Sequence, residues 1–488
     1  MTTAAHKIAS NTLYQAVGKV LGTGLGVLSF AFMSRYLGPA DFGVYATALT
    51  HVALFATFAD LGLPVMHLRM RALRGGDKGI QDSSELRNLH GLRILSTLLL
   101  LLVGVLAGFI LPYGPKVVQG IMILSVGFIA VSFSQYIAAV FQEKLITIRL
   151  AASEVLGRAV MFGIVFFAVQ FDAGLVAIYG AVVAGSFAAL LLAYILIKNT
   201  WRIIPEWIFS SWPGLLKKAS ALILLTTFSL IYFKIDTLLL AWIRSDHEVG
   251  IYTAAYKYLD VFITFPALFS TLALPFMARA MAANNKPLLS RRFERAFRAV
   301  MIVGIPLALG TFFFGGDFVQ LLSGSSFAES ADVLTVLSLA VLPLFIGNLT
   351  TTTLIGIGRA KIVAWIFGVA AVIGVLAYIV AINYAGYWGA AWVTIAVESV
   401  IALAGFAAMT RFVDVRSIGS RLLGLVAAGA IAGAALYATS GQHIAIRIGL
   451  MGLLYAAALL ITRAVSRDEL QALISFTRHK TKTQSATR

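Results

Sequence analysis

Residues 92–111 read LRILSTLLLLLVGVLAGFIL, and the eighteen that follow Arg93 carry no charge. As an α-helix, eighteen residues rise about 27 Å, close to the ~30 Å hydrocarbon core of a bilayer. Comparable apolar runs recur from one end of the sequence to the other. The chain has 488 residues, 60% hydrophobic and only 12% charged, with a mean hydropathy of +0.90. A soluble domain carries about 25% charged residues, so a soluble chain of this length would lack polar surface. The composition points to an all-α integral membrane protein with many spans.

Other classes fall away on the same counts. Disorder and fibrous repeats need low hydrophobicity or a short biased period. The chain has no cysteine, which excludes disulfides, thiolate metal sites and a cysteine nucleophile. The opening MTTAAHKIASNTLYQ lacks the order of a cleaved secretory leader, so the first hydrophobic stretch is expected to stay as a transmembrane helix. The seven histidines are scattered, with no pair at metal-ligand spacing on a helix, so no metal is expected.

Hydropathy predicts about fourteen spans, near 13–34, 42–66, 92–111, 117–140, 150–170, 174–197, 217–243, 248–276, 295–315, 329–355, 360–382, 386–409, 420–438 and 442–463. The net charge of +17 could suggest nucleic acid, but its distribution argues otherwise. With a cytoplasmic N-terminus, 30 of the 38 Lys and Arg fall in cytoplasmic segments, four in outer loops and four within spans. That is a strong positive-inside bias, and no nucleic-acid role is needed to explain it. Both termini are expected in the cytoplasm, the basic tail in contact with membrane lipid.

An internal repeat is also visible. Gly43-Val44-Tyr45-Ala46-Thr47-Ala48 answers Gly250-Ile251-Tyr252-Thr253-Ala254-Ala255 at an offset of 207. Leu63-Pro64-Val65-Met66 answers Leu274-Pro275-Phe276-Met277 at 211, and the stretch opening at Gly174 weakly answers that at Gly386 at 212. Six helices per repeat keep both halves in one orientation, a parallel repeat about the membrane normal. The expected organisation is two pseudo-symmetric six-helix lobes around a central cavity, 1–205 and 206–416, then a helix pair at 417–463 and a tail at 464–488. The join, Trp201 to Trp207, is amphipathic and fits the inner interface.

Three stretches carry a family resemblance. They are Asn11-Thr12-Leu13-Tyr14-Gln15, then Arg35-Tyr36-Leu37-Gly38-Pro39-Ala40-Asp41-Phe42-Gly43-Val44-Tyr45, then Asp60-Leu61-Gly62. Together with Lys234–Leu240 and Val249–Tyr256, they resemble the signature of bacterial polysaccharide transporters. These are the Wzx-type and exopolysaccharide flippases of the multidrug/oligosaccharidyl-lipid/polysaccharide exporter superfamily. The resemblance implies an inner-membrane protein that moves an undecaprenyl-diphosphate-linked oligosaccharide to the periplasmic leaflet. It further implies two lobes in alternating access, with polysaccharide polymerase or export proteins as partners. Within it, Arg35, Gly38, Asp41, Gly43 and Asp60 read as motif or structural positions.

Charges inside spans are costly and mark function by default. Lys234 and Lys257 each lie nine residues from the outer end of their spans, about 13 Å deep at 1.5 Å per residue. Arg158 and Glu398 fall at similar depth, and Lys19 lies in the first span with Gly22 and Gly26. Lys257, Lys234, Arg158 and Lys19 are therefore candidates to bind a diphosphate in a cavity. Asp260, Asp236 and Glu398 are candidate proton or sodium sites for coupling to an ion gradient. Simpler pairings stand beside these roles: Lys234 or Lys257 with Asp236 or Asp260, holding the hairpin together, and Glu154 with Arg158 at i,i+4. Lys234 and Asp236, two residues apart, cannot share a helix face. Gly22, Gly24 and Gly26 read as close-packing points. Two other functions compete: a cation-coupled drug exporter of the same superfamily, and a membrane glycan polymerase or ligase. The short outer loops and the absence of a D-x-D motif disfavour the second.

Overall fold

The computed structural model describes the backbone of residues 2–60, 84–144, 146–198 and 205–462. Side chains at 2–16, 60, 416–421 and a few other positions are not described. The expectations for Asn11, Gln15, the Asp60 side chain and the tail 464–488 thus lie outside the described residues.

All regular structure among the described residues is helical. The α-helices are α1 (Thr2–Asp60), α2 (Ser84–Ile110), α3 (Pro115–Glu143), α4 (Thr147–Gln170), α5 (Gly174–Ile197), α6 (Trp212–Ile243), α7 (Asp246–Ala282), α8 (Lys286–Ser323), α9 (Ala328–Leu337), α10 (Val341–Gly356), α11 (Ala360–Met409), α12 (Arg416–Ala438) and α13 (Ile444–Ile461). The hydrocarbon core offers no water to unpaired backbone groups, so apolar runs of this length close their hydrogen bonds internally as helix.

Among the described residues, eleven segments are long and apolar enough to cross a membrane. They depart from fourteen separate spans in three places. The first two expected spans run as one segment, Val17–Ala59, and another two run as Ala360–Met409, while Leu422–Ala438 is a shorter apolar helix. Both long segments are broken inside, at Gly38 (φ 66°) and Gly386 (φ 55°). Left-handed φ is strained for a side chain with Cβ, and Pro39 withholds an N–H at the next position. The two breaks turn the chain without a loop, which hydropathy alone reads as a gap between spans.

The chain forms two compact units. The first contains residues 1–257, 317–333 and 364–394, and the second contains 258–316, 334–363 and 395–488. In the first, α3 and α5 meet in a core of Tyr136, Ile137, Val140, Phe141, Ala193 and Ile197. In the second, α13 is fixed to α8 by the Tyr455 hydroxyl, which donates to the Ile302 carbonyl at 3.2 Å, and by Arg447 lying 4.8 Å from the Phe314 ring.

The described part of the amphipathic join is strapped to α2. Glu206 accepts from Ser84 Oγ at 2.5 Å and pairs with Arg87 at 2.5 Å. Asn88 Oδ1 accepts from the Ile208 N–H at 2.9 Å and Trp212 Nε1 at 2.8 Å. Trp207 and Phe209 stay exposed, as an interfacial segment requires. The Ser84 hydroxyl, then Arg87, holds the Glu206 carboxyl below its ordinary pKa. A depressed carboxylate stabilises above its unfolded pKa and loses that contribution as pH falls through the folded one. The strap is therefore expected intact at pH 7 and released only in acid. Trp207 fluorescence should shift on acidification in wild type, and at neutral pH Glu206→Gln should already resemble the acid state. A Glu206→Gln spectrum identical to wild type at pH 7 would contradict this.

Candidate functional site

The first charged group forms along the seam of α1 and α4. Arg158 Nη1 donates to the Gly22 carbonyl at 3.2 Å. A Cβ at Gly22 would lie 3.2 Å from Arg158 Cδ, and one at Gly26 would lie 2.8 Å from Nη1. The two glycines thus clear a bed on α1 for the guanidinium, a more particular role than general close packing. Glu154, one turn earlier on α4, is within electrostatic reach of both Arg158 and Lys19. All three side chains are exposed at the protein surface, and no carboxylate–cation contact within 4 Å closes the group among the described residues. The expected Glu154–Arg158 pair is not drawn shut, and Arg158 leans on α1 instead. The group keeps one net positive charge.

The second group separates Lys234 from Asp236, as their spacing on α6 requires. Asp236 is 2% exposed and turns to neighbouring helices. It accepts from the Tyr252 hydroxyl of α7 at 2.7 Å and the Thr237 N–H at 2.6 Å. Tyr252 meets Thr394 Oγ1 of α11 at 2.9 Å, and Tyr378 meets the same oxygen at 2.9 Å. Each hydroxyl has one proton, and that of Tyr252 goes to the carboxylate. The hydroxyls of Tyr378, Thr394 and Tyr252 thus form a contiguous run that ends on Asp236, with Thr394 Oγ1 also donating to the Ala390 carbonyl at 3.0 Å. Lys234 lies on the other side, half-buried, with Nζ 5.8 Å from the Tyr256 ring centroid. Lys257 is exposed; in the second unit, Asp260 is half-buried and Glu398 is 2% exposed. Sequence reasoning missed Tyr252, Thr394 and Tyr378 as site residues. Only Tyr252 had a signal, its place in the repeat motif.

The motif residues form a third set within the first unit. A Cβ at Gly43 would fall 1.8 Å from the Asp246 carbonyl oxygen, and one at Gly250 would fall 1.8 Å from the Pro39 carbonyl oxygen. Pro39 and Asp246, like Gly43 and Gly250, stand 207 positions apart, which is the repeat offset. The crossing is thus self-complementary, each repeat offering the same glycine and the same carbonyl to the other. Asp41 and Glu248 are likewise equivalent, and each turns to a helix start. Asp41 pairs with Lys116 at 2.8 Å, and Glu248 accepts from the Tyr387 N–H at 3.3 Å. Arg35 donates to the carbonyls of Gln320, Leu321 and Leu322 at 3.3, 2.7 and 3.1 Å, satisfying acceptors in the last turn of α8. Arg35, Asp41 and Gly43 therefore have structural partners, and Gly38 supplies the left-handed break in α1.

Gly43→Ala should force the crossing backbones apart, an overpacking cost of about 1–3 kcal/mol. Gly24→Ala is the control, because nothing lies within 4 Å of its Cβ position. Thermal unfolding in detergent should show a lowered midpoint for Gly43→Ala alone. Equal midpoints would refute the close crossing.

Residues 8–281 match the family described as polysaccharide biosynthesis protein, and residues 221–380 match the MatE family. The lipopolysaccharide biosynthesis protein WzxC of Escherichia coli (strain K12) is 24% identical over 377 residues, covering 73% of this chain and 71% of WzxC. A solved structure titled lipid II flippase MurJ, inward closed conformation, is similar with a TM-score of 0.75 at 13% identity, over 94% of this chain and 99% of that one. An inward-facing multidrug resistance MATE family transporter of the MOP superfamily is similar with a TM-score of 0.65 at 14% identity, over 81% of this chain and 96% of that one. At these identities the structural likenesses speak to the fold, which is that of the MurJ and MATE transporters. With more than half of its length matched, the chain belongs to the polysaccharide biosynthesis protein family, within the MOP superfamily.

Proposed function

We propose that this protein is a flippase for a lipid-linked oligosaccharide. It carries an undecaprenyl-diphosphate-linked repeat unit across the bacterial inner membrane for surface or exopolysaccharide synthesis. The observation that carries the reading is the open cationic group of Lys19 and Arg158, set in apolar helices with a single carboxylate, Glu154, nearby. A cation in a low-dielectric setting is costly without a counter-charge, and a passing diphosphate supplies two. Lys234 and Lys257 add cations on α6 and α7. The named activity of MurJ and the lipopolysaccharide role named for WzxC support the same class of cargo.

Transport proceeds by alternating access of the lobes 1–205 and 206–416, with both termini cytoplasmic. Coupling to a proton gradient falls to Asp236, the carboxylate at the end of the hydroxyl chain; Asp260 and Glu398 are the other acidic candidates. Polymerase or export proteins receive the product. The testing experiment is deletion of the gene in its host, followed by lipid extraction. Accumulated lipid-linked repeat units are expected. Drug hypersensitivity with normal lipid-linked intermediates would overturn the flippase reading in favour of drug export, the role named for the MATE relatives.

A further inference from the structure

We propose that the second unit carries a binding site for a phosphate-bearing ligand, separate from the residues assigned above to cargo and coupling. The site is a cavity of about 620 Å3 between the first turns of α8 and the turn that follows α11. Lys286 and Arg291 line it from α8, with Glu294 on the same helix, and Thr410 and Asp414 line it from the turn.

The charges in its wall are not equivalent. Glu294 is 7% exposed and lies 3.8 Å from Arg298, so its charge is met inside the protein. Asp414 stands two residues before α12, where a carboxylate is favoured by the helix N-terminus. Its own N–H donates to Ser290 Oγ at 2.8 Å, tying the turn to α8. The N-terminus of α8 is itself capped, since Asn285 Oδ1 accepts from the Leu288 N–H at 2.9 Å. Against these engaged groups, the exposed side chains of Lys286 and Arg291 have no hydrogen-bond or ion-pair partner among the described residues. Two free cations face one cavity whose Glu294 is already met by Arg298 and whose Asp414 is favoured by the start of α12, a balance that selects an anion. An arginine fork beside a lysine suits phosphate oxygens better than a single carboxylate.

Depth narrows the source. The basic cluster at the start of α8 ends at Arg298, and Arg291 lies seven residues before it. At 1.5 Å per residue that is about 10 Å outside the apolar part of the helix, against a headgroup layer of about 5–8 Å. The cavity opens at the outer edge of the headgroups on the side richest in Lys and Arg. It can therefore take a phospholipid headgroup from below or a soluble phosphate ester from above.

The test uses the full chain in neutral detergent and native mass spectrometry. The probes are dioctanoyl-phosphatidylglycerol, glycerol 3-phosphate and, as the phosphate-free comparison, dioctanoylglycerol. Wild type should retain one molecule of a phosphate probe. A Lys286→Ala/Arg291→Ala double variant should bind it at least about tenfold more weakly, the loss of one to two charge-assisted contacts. Thr410→Trp, which narrows the cavity and leaves both cations, should weaken binding as well. Arg295→Ala, an exposed cation on α8 that does not line the cavity, should bind as wild type. Retention of phosphatidylglycerol alone identifies a lipid headgroup, and retention of glycerol 3-phosphate identifies a soluble ester. The proposal is overturned if neither phosphate probe exceeds dioctanoylglycerol, or if Arg295→Ala weakens binding as much as the double variant. Neither result bears on the flippase reading, which rests on other residues.

Discussion

Arg158→Met should insert and fold normally and yet reduce flipping of lipid-linked oligosaccharide by about 10–100-fold. The range is the loss of one charge-assisted contact, about 1.5–3 kcal/mol at tenfold per 1.4 kcal/mol. Methionine keeps most of the arginine's apolar stem over Gly22 and Gly26, so the α1–α4 seam stays packed while the charge disappears. Arg158→Glu should be worse, because the carboxylate joins Glu154 in repelling a diphosphate. Arg158→Lys should keep part of the activity: its charge remains, although the fork that reaches the Gly22 carbonyl does not. A purely structural arginine gives the opposite order, with Met near wild type in transport and Lys no better. Leaflet transfer in reconstituted vesicles, read beside the thermal midpoint of each variant, separates the two. Wild-type transfer by a folded Arg158→Met protein would remove Arg158 from the cargo path.

The fold was legible because bilayer thickness writes itself into the sequence one span at a time. Residues 94–111 need no partner to be read as a spanning helix. Hydropathy could not show that Gly38 and Gly386 would turn the chain inside continuous helical segments, since a left-handed glycine leaves no mark on it. The repeat was legible as an offset, and its meaning was not. Gly43 and Gly250 matched as letters, but the reason for glycine is a carbonyl of the other repeat, about two hundred positions away.

The charged residues divide in the same way. Helix geometry alone dictated that Lys234 and Asp236 face apart. Which of the two is buried depends on Tyr252 and Thr394, which meet each other across 142 positions in separate helices. Hydroxyl residues are common in transmembrane helices, where they bond to the preceding turn, as Thr253 does to the Val249 carbonyl. A Tyr or Thr that serves a distant carboxylate looks no different in sequence. The cationic seam was only half visible for a related reason. Lys19, Gly22 and Gly26 share one face of α1, but nothing in that spacing names Arg158 as the residue the glycines accommodate.

Asp236→Asn should fold and exchange cargo, but it should not concentrate cargo when a pH gradient is applied. Asparagine is nearly isosteric and keeps an acceptor for the Thr237 N–H. Its amide can donate to the Tyr252 oxygen if the hydroxyl chain reverses to run from Tyr252 to Thr394. The Tyr252 hydroxyl keeps Thr394 Oγ1 as a partner at 2.9 Å, so the variant loses ionisation with little change in packing. If Asp236 couples transport, its protonation in wild type should turn the Tyr252 hydroxyl toward Thr394. Tyr252→Phe removes the middle of the chain and should weaken pH-driven transport while leaving downhill exchange. Asp236→Ala is the contrasting case. It removes the carboxylate that accepts from Tyr252 and leaves a gap in a buried site, a loss of about 1–3 kcal/mol, so its protein should unfold at a lower temperature. If Asp236 only held α6, α7 and α11 together, Asp236→Asn would transport like wild type under the gradient, and only the alanine variant would suffer. If sodium drove transport, wild-type accumulation would require a sodium gradient and ignore the pH difference. The discriminating measurement is gradient-driven uptake in sodium-free vesicles. Full accumulation by Asp236→Asn under an imposed pH gradient would remove Asp236 from coupling.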